Sequence, residues 1–65
     1  MTMYVVMYFE EGMGYYFTKS TKIFSDYDKA VKWADAINSV LAVEDDCEVR
    51  DLFGYYIIKE VEWIK

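Results

Sequence analysis

Between Met3 and Phe9 the chain reads Met-Tyr-Val-Val-Met-Tyr-Phe, with no charged residue. Seven residues rich in β-branched and aromatic types are strand length. A run without alternation predicts a central strand contacted on both faces. Glu10-Glu11-Gly12-Met13-Gly14 then supplies the glycines of a hairpin loop. Tyr15–Lys19 returns as a second strand, which Ser20–Phe24 extends past a kink. Ser25-Asp26-Tyr27-Asp28 reads as an N-cap with an acid three residues on, so a helix is expected over about residues 26–43. On a helical projection Ala30, Ala34, Ile37 and Leu41 form one stripe, flanked by Trp33, Val40 and Val31. Asp28, Lys32, Asp35 and Ser39 occupy the opposite side.

Beyond the helix, Cys47–Asp51 alternates and predicts a short strand with Cys47 and Val49 inward. Phe53-Gly54 turns the chain, and Tyr55–Ile64 is the longest strand. Its second half alternates Glu60 and Glu62 against Val61 and Trp63, a phase that carries Lys59 to the inner face. A bulge near Lys59 or snorkelling of its stem each reconcile this. Gly14-Tyr15-Tyr16-Phe17-Thr18-Lys19 and Gly54-Tyr55-Tyr56-Ile57-Ile58-Lys59 echo one another. The echo reflects either ordinary turn and strand preferences or two hairpins side by side, each copy opening a second strand, that present paired tyrosines on one face. The expected fold is α+β: a ββαββ chain whose four-stranded, mostly antiparallel sheet carries one helix on one face.

One helix covers one side of a sheet and leaves the other to water, a partner or a second copy. With Val5, Met7, Phe9 and Phe17 assigned to the helix side, Tyr4, Val6, Tyr8 and Tyr16 face away from it. Tyr56, Ile58, Glu60, Glu62 and Ile64 join them there. Phe9, Phe17 and Trp63 are then expected in the core. The exposed side becomes a tyrosine-rich plate rimmed by carboxylates, the makings of an interface core and rim.

Composition sharpens this. The 65 residues make one domain, with seven tyrosines, no histidine, no proline and a single cysteine. Tyrosine offers large contact area at little rotamer entropy, while the commonest neutral-pH general base is missing. No nucleophile motif, phosphate-binding glycine loop or cofactor pattern occurs, and Cys47 among acids has no partner for a disulfide, zinc site or activated thiol. The expectation is a non-enzymatic protein without cofactor or metal. The start Met1-Thr2-Met3-Tyr4 precedes an apolar run too short for a signal peptide or a membrane span, which predicts a complete, cytoplasmic chain.

Twelve acids oppose seven bases for a net charge of −5, and the excess falls in residues 34–65. Direct nucleic-acid binding is disfavoured, because it needs basic residues gathered on one face. The acidic stretch Glu44-Asp45-Asp46-Cys47-Glu48, continued at Asp51, follows a helix C-terminus, where the dipole disfavours negative charge. It is either a solvated loop or an acidic edge for a basic partner. Glu60 and Glu62, roughly 6–7 Å apart along a strand, add a phosphate-like spacing to that edge.

In size, charge and composition, and in its Phe24-Ser25-Asp26-Tyr27-Asp28-Lys29-Ala30-Val31-Lys32-Trp33-Ala34 junction, the chain resembles small accessory proteins of bacteriophages. Host-takeover inhibitors and anti-CRISPR proteins are examples. The resemblance implies stoichiometric inhibition of a host protein, such as a nucleic-acid-binding machine of the CRISPR-effector kind. The expected contact residues are Tyr4, Tyr8, Tyr16 and Tyr56 with Glu60 and Glu62 on the sheet, and Glu44, Asp45, Asp46, Glu48 and Asp51 on the acidic edge. Their partner is a basic or aromatic-binding protein surface, or a second copy using the tyrosine face as dimer interface.

Overall fold

Every strand pairs with the first. The computed structural model describes residues 1–64; Lys65, counted above in the charge of the second half, lies outside them. β1 (Thr2–Glu10) is flanked on one edge by β4 (Gly54–Glu62) and on the other by two short strands, β2 (Gly14–Tyr16) and β3 (Lys22–Phe24). All pairings are antiparallel. One α-helix among the described residues, α1 (Tyr27–Glu44), packs on one face, so the α+β sheet-and-helix architecture expected from the sequence is present.

The order of elements is βββαβ, because the expected strand at Cys47–Asp51 does not form. Val49–Asp51 is instead a turn of 3-10 helix, closed by Asp51 N–H to Glu48 C=O at 2.9 Å and Leu52 N–H to Val49 C=O at 3.1 Å. A strand needs a ladder, and both edges of β1 are already taken. The outer edge of β4 is occupied at Tyr56 by Asn38, whose Oδ1 accepts from Tyr56 N–H at 2.7 Å and whose Nδ2 donates to Tyr56 C=O at 3.0 Å. The fourth strand is β3, reached past a kink at Phe17–Thr21, as the extension beyond Ser20 anticipated. Thr21 N–H donates to Thr18 C=O and Ser20 N–H to Thr18 Oγ1, both at 3.1 Å.

Asp26, not Ser25, caps the helix: its Oδ1 accepts from Asp28 N–H at 2.9 Å. Aspartate is as good an N-cap as serine and adds negative charge at the positive end of the dipole. The anticipated stripe is the buried one. Ala30 and Ala34 are enclosed, and Ile37 and Leu41 pack beside them. Trp33 flanks the seam and donates from Nε1 to Ser20 C=O at 3.0 Å.

The sheet face meeting this stripe is the opposite of the expected one. Val6, wholly buried, and Tyr56 form the core with the two alanines, joined by Tyr4, Tyr8, Phe24 and Ile58. Alanines hold the helix close while leaving gaps between its larger side chains, and tyrosine rings fill them. Tyr4 meets Tyr27 edge-on at 5.3 Å, and Tyr8 meets Tyr56 at 5.5 Å between centroids. Phe17 and Trp63, expected in the core, are 81% and 56% exposed. Leu52, in the connection before β4, is buried in their stead.

Candidate functional site: the uncovered sheet face

Strand alternation places the odd-numbered residues of β1 and β4 on the face without a helix. Register sets them in rows: Met3 beside Val61, Val5 between Ile23 and Lys59, Met7 beside Ile57, and Phe9 between Tyr15 and Tyr55. No bulge interrupts β4, whose pairing with β1 is continuous from Thr2↔Glu62 to Glu10↔Gly54. Lys59 therefore belongs to this face. Its Nζ reaches 4.3 Å from the centre of the Tyr15 ring, across β1 at the level of Met7. Met7 is only 8% exposed although no helix covers it. Snorkelling, and not a bulge, reconciles the phase of β4, and a cation over a ring keeps part of its electrostatic stabilisation out of full hydration.

The Gly-Tyr-Tyr echo is a spatial one. Gly14 and Gly54 both pair with Glu10, Tyr15 and Tyr55 both pair with Phe9, and Tyr16 and Tyr56 both pair with Tyr8. The two segments thus flank the end of β1 at one level. On the uncovered face Phe9 stands 5.0 Å from Tyr15 and 5.6 Å from Tyr55, a ridge of three rings. Beneath it, on the helix face, Tyr8 lies 6.2 Å from Tyr16. The Tyr8 hydroxyl rests on Gly54, where any Cβ would collide with it.

The other end of the same face is concave. Met1, Met3, Val5, Ile23, Val61 and Trp63 line a hollow of about 260 Å³. Its lining is apolar, and Ile23 and Trp63 stand more than half exposed. One face thus carries an aromatic ridge at one end, a hollow at the other, and Lys59 as the charge between them.

The expected contact residues divide. Tyr4, Tyr8 and Tyr56 lie under the helix and do not form an uncovered plate; Tyr56 also shares a 2.7 Å hydrogen bond between its hydroxyl and Thr18 Oγ1. Tyr16 is on that side too, at the sheet edge and partly exposed. Glu60 and Glu62 are exposed, in phase with the covered face. Glu62 accepts from the Met1 amine at 3.0 Å and from Thr2 Oγ1 at 3.1 Å. The residues of the uncovered face that the sequence did not place there are Met3, Val5, Ile23, Phe9, Tyr15 and Tyr55. The Gly-Tyr-Tyr echo was the signal for the last two.

The acidic edge gathers more than its own segment. Glu11 N–H donates to Phe53 C=O at 3.3 Å, tying the β1–β2 turn to the connection that begins at the helix C-terminus. Glu10 and Glu11 thereby join Glu44, Asp45, Asp46, Glu48 and Asp51 at one pole. That is seven of the chain's twelve acids, with Arg50 as the cation of that connection, 2.8 Å from Glu48. The field is felt locally. Burial raises the Tyr8 phenol above its ordinary value, with Glu10, Tyr56, Asp45 and Tyr16 adding to it. Burial also raises the half-buried Cys47 thiol, aided by Asp45, Asp51 and Asp46. Among the described residues no three acids or cysteines converge closely enough to hold a metal ion. No helix among them is long and apolar enough to cross a membrane. No protein-family model, curated relative or solved structure matches the chain.

Proposed function

We propose that the chain is a small, non-enzymatic protein-binding module whose contact surface is the uncovered face of the sheet. The observation that carries this is the composition of that face: ridge and hollow are apolar or aromatic, and Lys59 is folded onto Tyr15. Contiguous apolar surface of this kind is what protein contacts bury. The methionine, valine, isoleucine and tryptophan side chains of the hollow are of the kind that protein contacts bury. Such a module acts by occupancy, as a stoichiometric modulator or inhibitor does. The acidic pole beside the ridge steers that end of the molecule toward basic protein surfaces and away from nucleic acid.

Site-specific photo-crosslinking in living cells tests the reading. A photoreactive side chain at Ile23, on the sheet face, is expected to capture a polypeptide, and one at Val43, exposed on the helix, is not. Equal capture from both positions, or none from Ile23, refutes it.

A further inference from the structure

We infer that the occupant of the uncovered face is a second copy of this chain, stacked sheet on sheet about a two-fold axis lying across the strands. The inference rests on the reading of that face as a contact surface and names what covers it. A two-fold contact is isologous, so one patch must complement itself. This face meets that condition along β1. The ridge of Phe9, Tyr15 and Tyr55 stands at one end and the hollow at Val5, Ile23 and Trp63 lies at the other. The two are about 13 Å apart, four residues of strand. An axis across the strands reverses their direction and sets each ridge over the partner's hollow. At about 260 Å³ the hollow has room for one aromatic side chain.

Area and the placement of the acids agree, while Lys59 opposes its own copy near the axis and works against the contact. Three strands of up to nine residues give a face about 30 Å long and about 14 Å wide, counting half a spacing beyond each outer strand. With side-chain relief, two copies bury on the order of 1,200 Å², the lower end of the range for specific interfaces. The acids stand at the pole and on the opposite sheet side, so stacking brings no carboxylates together. Pairing through the outer edge of β4 is disfavoured. Asn38 occupies that edge at Tyr56. In the registers that remain, antiparallel self-pairing sets Glu60 against Glu60 or Glu62, or Lys59 against Lys59. Like charges directly opposite guard an edge against self-association. In the stacked pair the two acidic poles lie at opposite ends.

Sedimentation equilibrium of the full chain across a wide concentration range reads the inference directly. The expected result is a monomer–dimer equilibrium that Ile23→Lys weakens roughly 30-fold or more, the scale of an interface hot spot. Trp63→Ala also weakens it, and Lys59→Met, which removes the charge on the face, strengthens it. Ile23 and Trp63 are exposed in the single chain, and circular dichroism confirms that each variant folds. Isotope-filtered NMR on a mixed dimer should show Trp63 of one copy against Phe9, Tyr15 or Tyr55 of the other. A monomer at every concentration overturns the inference, as does a dimer indifferent to both Ile23→Lys and Trp63→Ala, or one joined through the β4 edge. A strict monomer whose Ile23 position still captures a different polypeptide removes the second copy and leaves the contact face standing. No capture from Ile23 and no dimer removes both.

Discussion

Asp46 sits where helices commonly place glycine. Its φ is 52°, and around it Cys47 N–H donates to Ala42 C=O at 3.0 Å and Asp46 N–H to Val43 C=O at 3.2 Å. These are the two bonds of a Schellman ending, with Asp46 as its left-handed residue. An L side chain there is strained, and the carboxylate adds to the negative end of a helix with no basic residue in its last turn. Asp46→Gly is expected to stabilise the fold by about 1 kcal/mol, read from urea unfolding; no gain would mean that the carboxylate makes a compensating contact. Tyr8 and Cys47 set a limit at alkaline pH. Both are neutral when protonated, and the fold raises both above their ordinary values. Their stabilising contribution is complete below the ordinary thiol and phenol range, about pH 8.5–10, and is lost as the pH climbs through the raised values. Stability should therefore fall as the pH climbs above the ordinary thiol and phenol values, about 8.5–10, and Tyr8→Phe should flatten part of the slope. A wild-type profile level above those values would contradict the assignment.

Between elements, α1 and β4 are joined by Asn38 as well as by apolar contact. Its amide imitates a neighbouring strand for one residue, giving the edge at Tyr56 the donor and acceptor it would otherwise lack. Asn38→Ala leaves both partly buried backbone groups of Tyr56 unmatched, and the expected loss is about 1–3 kcal/mol. Hydrogen exchange should show the Tyr56 amide losing protection ahead of Ile57, whose amide faces β1. Equal protection of the two in the variant would place the edge's stability elsewhere. The helix was legible in the sequence because its evidence is local: a cap, a stripe of alanines and a polar back. The orientation of β1 was not. Met3–Phe9 is apolar on both of its faces, so period two shows that two faces exist and says nothing of which meets the helix. A usable clue lay outside the strand, in Ala30 and Ala34, whose small side chains call for rings opposite. Cys47–Asp51 misled for a different reason. Five alternating residues describe a 3-10 turn as well as a strand when no free edge awaits them.

At the scale of the whole molecule the charge and the apolar surface are segregated, and each was legible to a different degree. The acidic excess of the second half was plain in the sequence. That Glu10 and Glu11 belong to the same pole was not, since only folding brings the first turn against Phe53. The aromatic excess was equally plain, yet its division between core and surface ran opposite to expectation. The tyrosines of the helix side close the core, while Tyr15, Tyr55, Phe9 and Trp63 remain available. The pairing of β1 with β4 has a consequence for how the protein folds. The hub of the sheet and its longest partner meet across more than forty residues of intervening chain, from Glu10 to Gly54. The helix and the β2–β3 edge can assemble without β4, but the core lacks Tyr56 and Ile58 until that strand docks. Until then one edge of an almost wholly apolar β1 stays open, since so distant a closure is slow, and other chains compete for it.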